Sequence, residues 1–150
     1  MAGFGVVAPL VLYPDRTIER AGVTYINLKD NEPGWIVPHF RYQNFLNPNA
    51  VSLTSCNVAE KCIGISQQVI KKVGYLREDL SYLYACVDYC LKARTNGSST
   101  FHVGYTSVIS DLPQWLNICE KYQPTHILEL AEIEEKDRKI LYDCWNGIKI

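Results

Sequence analysis

Apolar positions recur along this chain in two rhythms, and the change between them marks the elements. Phe4 to Tyr13, FGVVAPLVLY, is a continuous apolar run of strand length and composition. Pro14-Asp15-Arg16 is turn chemistry. Thr17 to Leu28 then alternates toward a second extended segment, with Val23, Tyr25 and Ile26 favouring strand. Val51 to Thr54 and Lys61 to Ile65 are short strand candidates around Cys56 and Asn57. Two more, Thr100 to Val103 and Thr106 to Ile109, follow Gly97.

Helical spacing appears behind Ser66, which can cap the helix carrying Val69, Ile70 and Val73. Gly74 supplies the positive φ that commonly closes a helix. Leu83, Cys86, Val87, Cys90 and Leu91 recur at i, i+3, i+4, i+7 and i+8 and share one apolar face, with Asp88, Lys92 and Arg94 largely on the other side. Asp111 reads as the cap of LPQWLNICEKY, whose stripe is Leu112, Trp115, Leu116 and Cys119, and Pro124 ends it. A last helix is expected from about Ile127 to Trp145, with Glu132–Lys136, Glu134–Arg138 and Glu135–Lys139 in the favourable order on a solvated face. The pattern predicts an α/β fold over residues 1–150 as a single domain. Residues 1–110 form its mixed sheet with flanking helices, and residues 111–150 a C-terminal helical hairpin. The Phe4–Tyr13 strand is expected beside Lys61–Ile65, with the Leu83–Arg94 helix packed on the sheet.

Composition narrows the function classes. A unit of 150 residues can bury roughly 70% of its unfolded surface, so a core needs no covalent staples. The net charge of −1 comes without a basic block, which argues against binding nucleic acid through phosphate contacts. The apolar start MAGFGVVAPLVLYP lacks a basic leader region, contains Pro9 and is too short to span a bilayer. The expectation is a cytoplasmic protein whose six cysteines are reduced, Cys86 and Cys90 being unpaired core thiols. The sharper alternative is a zinc site from Cys56, Cys62, Cys86 and Cys90, but no CxxC pair accompanies it.

The segment Asn31 to Asn49 reads as a loop interrupted by Pro33, Gly34, Pro38 and Pro48. It carries Trp35, His39, Phe40, Arg41, Tyr42 and Phe45. Aromatic faces beside an arginine suit a sugar ring, and they equally suit packing onto the chain's own core or a partner chain. Trp35, His39, Arg41 and Tyr42 are the candidate acceptor or partner contacts. His39 alone is read as satisfying a local hydrogen bond.

Two stretches carry a family resemblance. KKVGYLREDLSYLYACVDYCLKAR, Lys71 to Arg94, resembles the acceptor-side segment of family 2 glycosyltransferases of the GT-A fold, approximately VGGFDEDFFLYGEDVDLCLRAR followed by a glycine, two short strands and a histidine. The frame runs without a gap through Val73-Gly74, Glu78-Asp79, Val87-Asp88, Cys90-Leu91 and Ala93-Arg94 to Gly97. LYPDRTIERAGV, Leu12 to Val23, is similar to the family's LYPDGTIQHAGV, with Arg16 in place of a glycine. The two lie in the family's order and together span about Val6 to Ile109.

The resemblance implies a partial or rearranged GT-A sheet. It also exposes departures. The family's Gly-Glu-Asp, whose aspartate is the catalytic base, is Tyr84-Ala85-Cys86 here, and its terminal histidine is Ser110, with His102 eight residues early. The small-residue turn before the family's strand cysteine is replaced by Ala59-Glu60-Lys61. No Asp-x-Asp, which such enzymes use to hold a cation on the diphosphate leaving group, occurs in these residues. Nor does a Gly-rich phosphate loop, a nucleophile elbow or an HExxH. Asp88, two helical positions on, cannot point where residue 86 points.

The expectation is therefore a glycosyltransferase-like protein without the nucleotide half or the base, acting as a structural, assembly or binding component. The resemblance keeps two alternatives open. One is a subunit of a split family 2 glycosyltransferase, which transfers a sugar from a nucleotide sugar to a glycan acceptor. The other is a carbohydrate-binding module. No cofactor is expected, and Mn or Mg would enter only if a partner chain supplied the nucleotide half. Half a sheet leaves a raw edge, so a protein partner or homo-oligomer is expected, with a glycan as a further possible ligand.

Overall fold

The computed structural model describes residues 4–26, 35–59, 61–110 and 124–145. The described chain is mixed α/β. Its strands are β1 (Phe4–Leu12), β2 (Ile18–Arg20), β3 (Val23–Ile26), β4 (Trp35–Pro38), β5 (Leu53–Cys56), β6 (Gly64–Ile65) and β7 (Ser99–Ile109). Its helices are α1 (Gln67–Val73), α2 (Tyr82–Thr95) and α3 (Pro124–Trp145). Five strands form one mixed sheet in the order β2-β1-β7-β5, with β6 also on β1. β1 runs parallel to β7 along one edge. Its other edge takes β6 antiparallel at Val6–Val7 and β2 antiparallel at Val11–Leu12. The expected neighbour relation between the first strand and the Lys61–Ile65 segment is therefore present.

The central strands alternate. Val6 and Ala8 of β1 join the core formed with Val58, Val69, Val87, Cys90 and Leu91. On the opposite face, the register aligns Val7 with Phe101, Pro9 with Val103, and Leu53 with Val103. This second face keeps more solvent contact: Phe4, edge-on to Phe101 at 5.1 Å, and Leu53 remain about half exposed.

Ser66 caps α1, its Oγ accepting from the Val69 amide, and Gly74 closes the helix at φ 89°. α2 packs on β1 and β7, as expected, but it is not an amphipathic surface helix. Tyr84 to Leu91 are all buried. This corrects the assignment of Asp88 to a polar outer side. α3 covers that side, and Asp88, 1% exposed, accepts from Trp145 Nε1 at 3.0 Å and pairs with Lys92 Nζ at 2.6 Å.

Other boundaries also move. Thr17–Leu28 is not one extended piece: Ala21 and Gly22, the latter at φ 88°, turn the chain between β2 and β3. Part of the Asn31–Asn49 loop is a strand, because Trp35–Pro38 pairs antiparallel with Val23–Ile26. The Asn57 side-chain amide extends that small sheet toward β5, accepting from Tyr25 N at 3.0 Å and donating to Tyr25 O at 3.1 Å. The two segments after Gly97 are one strand, β7, with a register shift where Pro9 and Leu10 face Val103 and Ser107. The last helix begins at Pro124, a first-turn position that tolerates proline, rather than at Ile127. The Asp111-capped helix of the expected hairpin lies outside the described residues.

Candidate functional site

The turn after β1 is held locally. Asp15 Oδ1 accepts from the Thr17 amide at 2.8 Å and hydroxyl at 2.7 Å, and Arg16 sits at φ 65°. The Thr17 amide and then its hydroxyl, both donating to Asp15, hold its carboxyl below the usual range. The turn delivers Tyr13 to the surface, where residues 39–50 return across it. Ile18 N donates to Gln43 O at 2.8 Å and Tyr42 N to Ile18 O at 2.7 Å.

That return has an inside and an outside. Phe40 and Phe45 pack on a second core of Leu10, Leu12, Ile18, Ala21 and Ala50. Arg41 and Tyr42 point out, Tyr42 being 67% exposed. The Tyr13 and Tyr42 rings stack at 5.4 Å and 6°. Arg41 Nε donates to Tyr13 Oη at 2.9 Å, and its guanidinium carbon lies 5.0 Å from the centre of the Tyr42 ring. The hydrogen bond to Tyr13 raises the guanidinium further above its ordinary range. Burial, despite Arg41, raises the Tyr13 phenol. Phe40 and Tyr42 hold positive φ, 54° and 64°, a strain that non-glycine residues adopt only where surroundings enforce it.

Of the four contact candidates, Arg41 and Tyr42 thus share one surface. His39 is half-buried, with Nε2 2.6 Å from Thr24 Oγ1, the local bond expected of it. Trp35 lies on β4 next to Ile36, and its side chain is outside the described part. Tyr13 was not a candidate from sequence, because it ends an apolar run and reads as strand. Only the return of a segment 28 residues later reveals its partner.

Beside this surface lies a buried charge group. Glu19 is 1% exposed, is ion-paired with Lys61 and lies 3.7 Å from Arg20 Nε. Lys61 also holds a positive φ of 65°. The pairing shows why a charged residue is tolerated on β2, where burial without a partner would be costly.

Cys86, at the resembling family's base position, is buried on α2, and burial pushes its thiol up to about 11. A thiol with that value is protonated at neutral pH and accepts no proton from a sugar hydroxyl. Cys90 lies deeper, at about 12, with Sγ 3.3 Å from the Ala59 amide. Cys56, Cys62, Cys86, Cys90 and Cys144 are all free thiols. Among the described residues no three His, Cys, Asp or Glu side chains converge as a metal site, so the four-cysteine zinc alternative has no ligand set there. At the family's terminal-histidine position, Ser110 donates its amide to Leu12 O at 2.8 Å. His102 faces inward, its Nε2 on Ala50 O at 2.8 Å. Asp79 is bidentate with Arg77, which lowers it to about 2, so it serves as an ion-pair partner in the turn before α2. None of the described helices is long and apolar enough to cross a membrane.

Comparison with known families, with characterised proteins and with solved structures finds no match.

Proposed function

We propose that this chain is a glycosyltransferase-like protein of GT-A ancestry that works as a non-catalytic binding or assembly component, with Tyr13, Arg41 and Tyr42 as its contact surface. One observation carries the ancestry. The family motifs have glycine at the positions of residues 16, 22, 74, 75, 84 and 97; the backbone here has positive φ at four of them, 65°, 88°, 89° and 78° at residues 16, 22, 74 and 97, and not at Tyr75 or at Tyr84 in α2. Positive φ is the physical reason for a glycine. At Arg16 the side chain differs from the motif's glycine, and the backbone holds the positive φ that a glycine favours.

The loss of catalysis follows from chemistry. General-base help typically contributes about 10²–10⁴-fold, and a buried thiol near 11 cannot supply it. No Asp-x-Asp in these residues holds a metal on a diphosphate. The exposed Tyr42 ring with Arg41 beside it has the chemistry to meet a sugar or a partner protein.

Calorimetry with UDP-, GDP- and TDP-sugars plus Mn²⁺, followed by nucleotide release over hours, tests this. The expected result is neither binding tighter than about millimolar, near 4 kcal/mol, nor release. Binding or turnover by the chain alone would overturn the non-catalytic reading. Cys86→Asp separates the histories: restored release would mark a recently disabled enzyme.

A further inference from the structure

The 39–50 segment is tied down at both ends by a histidine. At its start His39 bonds Thr24 of β3 through Nε2, and its amide donates to Gly22 O at 3.0 Å. At its end Ala50 O is held by His102 Nε2 of β7 at 2.8 Å. A carbonyl only accepts, so His102 carries its proton on Nε2. Its Nδ1 is buried without a hydrogen bond. The two ties converge on Gly22: a Cβ built there would lie 3.4 Å from both His102 Cβ and His39 Nδ1, and 3.6 Å from Cys56 Cβ.

We propose that His39 and His102 form an acid-sensitive clasp that holds the 39–50 segment closed when both rings are neutral and releases it when they are protonated. Adding a proton to His102 puts charge on a buried Nδ1. Adding one to His39 sets a second cation beside the first. Around His102, burial outweighs the Ala50 and Ala8 backbone hydrogen bonds that favour its charged form. His39 meets the Thr24 hydroxyl, the Phe40 ring at right angles with centroids 6.3 Å apart, and His102 itself. His102 meets the Ala50 and Ala8 backbone and, across the sheet register, Thr54. The Cys56 thiol near Gly22 stays protonated, pushed up to about 11 by burial, and the charge that reaches it is the cation of Arg94, whose Nη1 is 3.4 Å from Cys56 O. None of these groups is a carboxylate. Both rings are held below their ordinary 6.5, mainly by burial and, at His39, also by His102.

The sign follows from linkage. The closed segment favours neutral rings, so closure is fully present above 6.5 and is lost as pH falls below it. Each histidine that must gain a proton on opening makes opening about tenfold easier per pH unit, up to about a hundredfold for both. Release would also break the Tyr13–Tyr42 stack, because Tyr42 rides on this segment. The clasp does not depend on what that surface binds.

Amide hydrogen exchange between pH 7.5 and 5, corrected for intrinsic rates, tests this directly. The amides of His39, Tyr42 and Gln43 should lose protection progressively as pH falls below 6.5, with a limiting slope of about tenfold per pH unit for each histidine, while those of Ala85 and Gly74, in α2 and at the end of α1, keep theirs. Flat protection in the segment, or joint loss in segment and helices, would overturn the clasp. In His39→Gln/His102→Gln, which keeps amide donors without a titrating group, the loss should vanish, and its persistence would assign it to other groups. Should that variant not fold, NMR titration of the two rings in the wild type decides: midpoints below 6.5 that track the loss support the clasp, and midpoints at or above 6.5 end it.

Discussion

Arg16 keeps a left-handed backbone, φ 65°, on an exposed turn, a conformation that costs an L residue about 1–2 kcal/mol. Arg16→Gly should relieve that strain, less the unfolded-state entropy of glycine, and raise stability by about 0.5–1 kcal/mol. A urea midpoint that falls or stays put would separate this turn from the glycine it resembles. The thiols give a second residue-scale expectation. Cys62 and Cys144 are exposed, whereas Cys56, Cys86 and Cys90 are buried with raised values. Iodoacetamide at pH 8 on the native protein should label Cys62 and Cys144 and spare Cys56, Cys86 and Cys90, as read by peptide mass spectrometry. Labelling of Cys86 at a rate matching Cys62 would show an accessible thiolate where burial predicts none.

Between elements, the polar links from α3 to α2 decide how α3 docks. Asp137, 1% exposed, accepts from the Ser81 amide at 2.8 Å and so satisfies the start of α2, whose own Ser81 side chain makes no cap bond. Tyr84 donates to Glu134 at 3.1 Å, and Trp145 to Asp88. Asp137→Ala leaves a helix-start amide unsatisfied and should cost about 1–3 kcal/mol, while Glu135→Gln on the exposed face should stay within about 0.5 kcal/mol. Equal effects in urea melts would mean that α3 is not docked through Asp137. This scale also separates what the sequence could reveal. The Ser66 cap, the Gly74 stop, the first strand and the α2 span follow from local rules, and they were legible. Burial of Asp88 and Asp137 was not, because both read as helix-surface carboxylates until another helix supplies the donor. β4 hid among prolines because its support, pairing with β3 and packing of Ile36 on the core, is tertiary. The contact surface was half legible: Arg41 and Tyr42 from composition, Tyr13 only from tertiary return.

Across the molecule the buried titratable groups bracket a range of pH. His39 and His102 are held below 6.5, so they bind fewer protons folded than unfolded, and their share of stability is lost as pH falls below 6.5. Cys56, Cys86 and Cys90 are held above the ordinary 9.0, at about 11, 11 and 12. Their sign is opposite. The unfolded chain releases these protons first, so the stability they contribute is intact below 9 and lost as pH rises toward 11. Each thiol adds a slope of about 1.4 kcal/mol per pH unit between 9 and its folded value, so the three together would remove a large share of the roughly 5–15 kcal/mol typical of a domain as pH approaches 11. The expected stability curve is a plateau between about 6.5 and 9 with a steep alkaline edge. Urea melts across pH 5 to 11 measure it. Replacing Cys90, the most deeply held thiol, with Ala should lower the plateau by removing packed volume and also make the alkaline edge shallower. A plain packing role would lower the plateau and leave the edge slope unchanged, so the change in slope is the outcome that tests whether the buried thiols set this limit.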